Sequence, residues 1–201
     1  MTDLTSGDLA TIYPAPTPHV IAKVRPAIDG HSRKFIEMSP FCVLATSGPD
    51  GSVVASPRGG NPGFVHVVST LQLILPDRTG NNRIDSFKNI TSGPGHLQLI
   101  FFVPGIDETL RVTGTGKLSA DPALLATMEE YGKAPCAALS ITVSETYFHC
   151  SKALMRSKLW ARDAQVERDA MPDINVVIHD QAGLGEPEAQ ADIVARYKTQ
   201  L

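Results

Sequence analysis

Three segments of the sequence carry side chains suited to holding an anionic ligand. The first is Pro76-Asp77-Arg78-Thr79-Gly80-Asn81-Asn82-Arg83, which leads from an apolar run toward a predicted helix over 83–91. A helix N-terminus offers unpaired N–H groups and about half a positive charge, which together favour an anion. Arginine adds a planar fork that matches phosphate bidentately. Asp77, Arg78 and Arg83 are therefore candidate binding residues. Gly80 lets the backbone approach a ligand closely, and Asn82 is placed to cap the helix. A polar turn closed by an Asn cap accounts for the same residues without a ligand. The second segment, Ser56-Pro57-Arg58-Gly59-Gly60, puts another arginine in a constrained loop after an apolar run. Arg58 reaches the same anion if the two segments are neighbours, and is a surface arginine if they are not. The third is Phe148-His149-Cys150-Ser151-Lys152-Ala153-Leu154-Met155-Arg156-Ser157-Lys158-Leu159-Trp160. On a helix over 152–162, Lys152 and Arg156 share a face, as do Arg156 and Trp160. Two cations beside the single tryptophan suit a planar anion. A solvated basic face is the plainer reading of that helix.

Other chemistries lack their residues. No GxGxxG follows a strand, and there is no GxxxxGK[ST]; Gly114-Thr115-Gly116-Lys117 falls inside a predicted strand with no helix after it. A GxSxG elbow is absent. His149 and Cys150 are adjacent on a strand, so they point to opposite faces, and no other histidine shows ligand spacing. A metal site is not expected.

The elements that must position these residues are mostly strands. Residues 1–25, with Pro14, Pro16 and Pro18, show no period and read as an extended arm. Pro26–Ser39 fits a helix stopped by Pro40. Phe41–Thr46 and Ser52–Ser56 form a hairpin around Ser47–Gly51, and Phe64–Val68 pairs with Leu71–Leu75. Strands follow at His96–Val103, Glu108–Ser119 and Cys136–Cys150. Gly114 and Gly116, inside the second of these, mark a bulge or a close backbone approach. A helix is predicted over 120–131 behind Ser119 as N-cap, and a last one over 187–197. Six or seven strands joined mainly by hairpins predict an antiparallel, closed or half-closed barrel with inserted helices, a mainly β fold.

The chain has 201 residues, 42% hydrophobic and 19% charged, with a net charge of −3. That length suits one domain with a tail, and the composition excludes disorder and a strongly basic nucleic-acid binder. The charge is uneven: residues 52–118 hold six bases against four acids, and 150–168 five against two, while the flanking blocks are acidic. These two cationic blocks contain every lysine and arginine of the three candidate segments. Three irregularly spaced cysteines, no signal-peptide pattern and no membrane-length apolar run point to the cytoplasm.

Five segments, taken in order, resemble the pyridoxamine 5′-phosphate oxidase-related, FMN-binding split-barrel family, and most closely a bacterial subgroup of it. They are FCVLATSGPDG (Phe41–Gly51), SPRGGNPGFV (Ser56–Val65), LPDRTGNNRIDSFKNI (Leu75–Ile90), PGIDETLRVTG (Pro104–Gly114) and FHCSKALMRSKLW (Phe148–Trp160). The resemblance implies a split β-barrel over residues 26–168, and a homodimer with FMN at its interface. It assigns the FMN phosphate to Arg83 and its loop, with Asp77, Arg78 and Asn82 nearby, and sets Ser56 and Arg58 along the flavin. It implies that Lys152, Arg156 and Trp160 complete the site of the partner chain. The Arg-Leu-His-Asp-Arg stretch of the vitamin B6 oxidases has no counterpart, so the resemblance is to the wider family. It implies an FMN-dependent oxidoreductase acting on a small molecule. A flavin carrier or redox sensor, and a deazaflavin-dependent reductase, use the same fold. Residues 169–201 are expected to form a tail whose helix packs on the domain.

Overall fold

A computed structural model of the chain describes residues 3–183 and 186–200. Residues 1–2 of the arm and 184, 185 and 201 of the tail lie outside the described residues. The arm is not simply extended: it carries two short exposed helices, α1 (Ser6–Ile12) and α2 (Pro18–Ala22). Thr5 and Asp8 close a reciprocal capping box on α1, and Pro18 opens α2, where its missing N–H costs nothing. Next comes α3 (Gly30–Met38), which begins four residues beyond Pro26 because the Asp29 carboxylate accepts from Ser32 N at 2.7 Å and fixes the N-cap.

Seven antiparallel strands follow: β1 (Phe41–Ser47), β2 (Val53–Gly59), β3 (His66–Ser69), β4 (Gln72–Asp77), β5 (His96–Phe102), β6 (Thr109–Ser119) and β7 (Ala137–His149). Helix α4 (Asp85–Ser92) lies between β4 and β5, α5 (Pro122–Ala126) between β6 and β7, and α6 (Lys152–Ser157) after β7. The strands form one sheet in the order β2-β1-β5-β6-β7-β4-β3. Strand β2 runs on through Pro57 and Arg58, which the sequence placed in a loop. Pro57 is tolerated because β2 is an edge strand.

The sheet coils but does not close. Arg58 on β2 is in register, through Cys42, Phe101 and Leu110, with Phe148 on β7. Yet its guanidinium lies 2.7 Å from Asp77 on β4, which is in register with Ala137, eleven residues back along β7. Only a staggered, barrel-like curl brings those positions together. Side chains bridge the gap, while β2 and β3 remain edges with no further strand partner among the described residues, so the barrel is split. Inside it pack Leu44, Leu73, Leu75, Leu99, Phe101, Leu110, Val112, Leu139 and Ile141, with Phe35 and Ile36 from α3 and Phe87 and Ile90 from α4. The bulge falls between Thr113 and Gly114, as the glycine predicted.

Beyond the barrel, α7 (Ile174–Ala182) and α8 (Gln190–Gln200) form the tail. The Lys133 ammonium donates to Thr199 O at 2.6 Å, and Ile193 is buried. No described helix is long and apolar enough to cross a membrane.

Candidate functional site

Helix α4 organises the first part of the site. Phe87 and Ile90, three residues apart, share its apolar stripe and anchor it in the core. Ser86 and Asn89 lie one position earlier, at the same spacing, and are also buried. Buried polar groups need partners, and both find them on the β1–β2 hairpin. The Ser86 and Ser56 hydroxyls are 3.2 Å apart; Asn89 Nδ2 donates to Thr46 Oγ1 at 3.2 Å.

Arg58 lies beside this contact. Its Nε donates to Ser56 Oγ at 3.3 Å and its Nη1 to Asp77 Oδ1 at 2.7 Å. Its guanidinium carbon is 5.0 Å from the Phe87 ring centroid, close enough for a cation–π contact. Ser56, Arg58, Asp77, Ser86 and Phe87 thus form one polar wall at the split in the barrel. Ser86 was not foreseen. Its only sequence signal was a serine and an asparagine spaced to share a face of α4.

The helix start differs from expectation. Helix α4 begins at Asp85, and its N-cap is Ile84, which supplies no capping oxygen. Asn82 is in the left-handed region at φ 60°, a conformation asparagine tolerates, and so turns the chain rather than capping it. Arg83 N–H instead donates to Asn81 Oδ1 at 3.0 Å. The Arg83 side chain is four-fifths exposed; its Nε donates to Asp85 Oδ2 at 2.7 Å, and Lys88 Nζ approaches Asp85 Oδ1 at 3.4 Å. Hydrogen bonds from Arg83, then from Lys88, hold the Asp85 carboxyl below its ordinary range. The terminal nitrogens of Arg83 have no acceptor among the described residues. Two exposed cations at a helix start form a donor set that fits a phosphate.

Arg78 points elsewhere. It pairs with Glu130 at 3.0 Å and donates to the carbonyls of Met128 at 2.7 Å and Lys133 at 3.1 Å. It therefore staples the loop after α5 to the end of β4.

The third segment also differs from its expected form. Helix α6 ends at Ser157 because Lys158 turns left-handed at φ 52°. Trp160 is therefore not one turn beyond Arg156. Its indole Nε1 donates to Ile106 O at 2.9 Å. Lys152 and Arg156 remain together, with Arg156 Nε donating to Lys152 O at 3.0 Å. Among the described residues, no hydrogen bond or ion pair links Lys152, Arg156 or Trp160 to Ser56, Arg58 or Arg83.

Residues 28–150 of the sequence match the pyridoxamine 5′-phosphate oxidase family. The chain belongs to that family. The match covers β1 to β7 and ends at Cys150, three residues into the third segment. No curated protein matches the sequence. Solved structures similar to this family member include HupZ of Group A Streptococcus, at 18% identity over 59% of this chain and 91% of that one, with a TM-score of 0.47. An F420 reductase is similar at 18% identity over 61% and 98%, TM-score 0.43. The FAD binding protein of Mycobacterium smegmatis is similar at 11% identity over 62% and 97%, TM-score 0.43. Among the described residues no His, Cys, Asp and Glu cluster could hold a metal ion.

Proposed function

We propose that this family member is an FMN-dependent oxidoreductase of the cytoplasm, acting on a small molecule as a homodimer. The observation that carries the reading is the pairing, within a pyridoxamine 5′-phosphate oxidase chain, of an exposed Arg83–Lys88 donor set with the Ser56–Arg58–Ser86 wall at the split of the barrel. Arg83 and Lys88 would hold the phosphate, exchanging Asp85 for a ligand of higher charge. Ser56 would offer its hydroxyl to the flavin, while Asp77 and Phe87 keep Arg58 from swinging into solvent. The flavin would supply the redox step, and the chain its binding and orientation. Lys152 and Arg156, unconnected to this wall within one chain, are the residues a partner copy would bring.

The protein as purified should be yellow and release FMN on denaturation. A colourless protein that takes up no added FMN overturns the proposal. Arg83→Ala should weaken FMN by roughly tenfold or more, the worth of a charged hydrogen bond, and leave riboflavin almost unchanged. Equal losses for both would remove Arg83 from the phosphate. A bound FMN that no nicotinamide donor reduces would make the protein a carrier.

A further inference from the structure

The outward face of β6 and β7 carries a cationic cluster that the proposed flavin site does not use. Arg111 and Tyr147 are register partners there, next to the pair Thr109–His149, on the face opposite Leu110 and Val112. The Arg111 guanidinium carbon is 5.3 Å from the Tyr147 ring centroid. Lys23 Nζ is 5.4 Å from the same ring, and the rings of Tyr147 and His149 are 4.9 Å apart.

Lys23 is brought there by the arm. Beyond Val143, β7 has outrun β4, and the freed edge is taken up by Arg25, which exchanges both backbone hydrogen bonds with Thr146 at 2.9 and 2.8 Å. Lys23 Nζ then donates to Phe148 O at 2.7 Å.

The cluster lacks a counter-charge. Among the described residues no carboxylate lies within ion-pair distance of Lys23, Arg111 or His149. The acids nearest along the strands are Glu145 on the same face of β7, and Asp107 and Glu108 just before β6. Arg111 Nε is buried and has no acceptor among the described residues. An arginine donor shut away from water without a partner is costly, so such a group in a native fold calls for an explanation. Burial, then the charges of Arg111 and Lys23, hold the His149 proton affinity below the ordinary histidine range. The same field that repels a proton attracts an anion.

We propose that Arg111, Lys23 and His149 form a binding site, beside Tyr147, for the oxyanion group of a small ligand, a carboxylate or a phosphate. The guanidinium supplies the directed donors, the ammonium a mobile point charge, and the imidazole a third donor once the anion is present. The site stands independently of the flavin reading, since none of its residues belongs to the Arg83 or Ser56 groups.

The test follows the ring resonance of His149 by NMR across pH, with His149→Gln assigning it among the six histidines. Inorganic phosphate and acetate are added in parallel, with sodium chloride of equal ionic strength as control. Phosphate, acetate or both should raise the His149 midpoint in a saturable way that chloride does not. The tighter of the two names the oxyanion. Arg111→Gln and Lys23→Gln should each weaken that binding roughly tenfold. Lys23→Gln lies on the exposed arm, so it answers the question even if the strand variant fails to fold. A midpoint identical in all three salts overturns the proposal, as does unchanged anion affinity in the Lys23→Gln protein. Because His149 is the reporter, phosphate bound at Arg83 neither mimics nor masks the result.

Discussion

Cys42 lies opposite an arginine and is nevertheless inert. It is the register partner of Arg58, whose charge favours a thiolate. Burial opposes this and wins: the side chain is fully enclosed among core residues, and its pKa is pushed up to about 12. Cys136 and Cys150 are exposed. Iodoacetamide at pH 8 should therefore label Cys136 and Cys150 in the native protein and reach Cys42 only in urea, as read by peptide mass spectrometry. Rapid native labelling of Cys42 would show that the β1–β2 hairpin opens readily. Arg58 itself is held from three sides, by Ser56, Asp77 and Phe87. Its side chain is less than one-fifth exposed, so it behaves as a fixed part of the site wall. Arg83 is the contrasting case: among the described residues its one ion pair is to a partly exposed neighbour two residues away, held by a side chain that is itself four-fifths exposed, a contact worth little in water and easily exchanged for a ligand.

The two glycines of β6 differ in what surrounds them. A Cβ on Gly114 would overlap the carbonyl oxygen of Thr142, a backbone atom fixed in the ladder. One on Gly116 would press on the terminal methyls of Leu139 and Leu97, at 2.7 and 2.8 Å, and these can rotate away. Overpacking costs roughly 1–3 kcal/mol. Gly114→Ala should fall at or beyond the upper end and Gly116→Ala near the lower, measured by urea denaturation; the reverse order would mean that the bulge at Gly114 relaxes freely. The sequence marked this place because interior glycine is costly in a strand, and the strands themselves were legible from their apolar runs and turn residues. Helix ends were less so. Lys158 ends α6 in a left-handed conformation that no glycine announced, which removed Trp160 from the face of Arg156. Asn82 is a good cap by type, yet it took the turn, since asparagine suits both roles. Arg78 and Arg83 lie in the same loop, and only tertiary contacts distinguish them: Glu130, fifty-two residues after Arg78, claims one, and nothing distant among the described residues claims the other. Ser86 entered the site by packing against a strand thirty residues earlier, which short-range spacing does not reveal.

The titrating groups of the folded chain together predict how its stability follows pH. Asp29 is held below its ordinary range chiefly by the backbone N–H of Ser32, and Asp8, Asp50 and Asp85 by hydrogen bonds from their neighbours. A lowered carboxylate contributes stability that is present above the unfolded pKa of about 3.9 and is lost as pH falls through the folded value. These groups are exposed or nearly so, and water screens most of the effect. His149 acts in the same direction at higher pH. Its lowered proton affinity means that the unfolded chain takes up the proton first, so stability declines as pH falls below about 6.5. Cys42 acts at the other end. Its ordinary pKa is 9.0 and the fold raises it to about 12, so above pH 9 the unfolded chain releases a proton that the folded chain keeps. Stability then falls as pH rises, by about 1.4 kcal/mol at pH 10 from this thiol alone. The urea midpoint should therefore be level between about pH 6.5 and 9 and fall on both sides. Cys42→Ala removes the thiol and leaves a small cavity, which lowers the whole curve by an amount independent of pH. Its alkaline limb should be shallower than that of the parent by the same 1.4 kcal/mol at pH 10. Parallel alkaline limbs in the two proteins would show that Cys42 ionises as easily in the fold as outside it, and so that the core around β1 admits water.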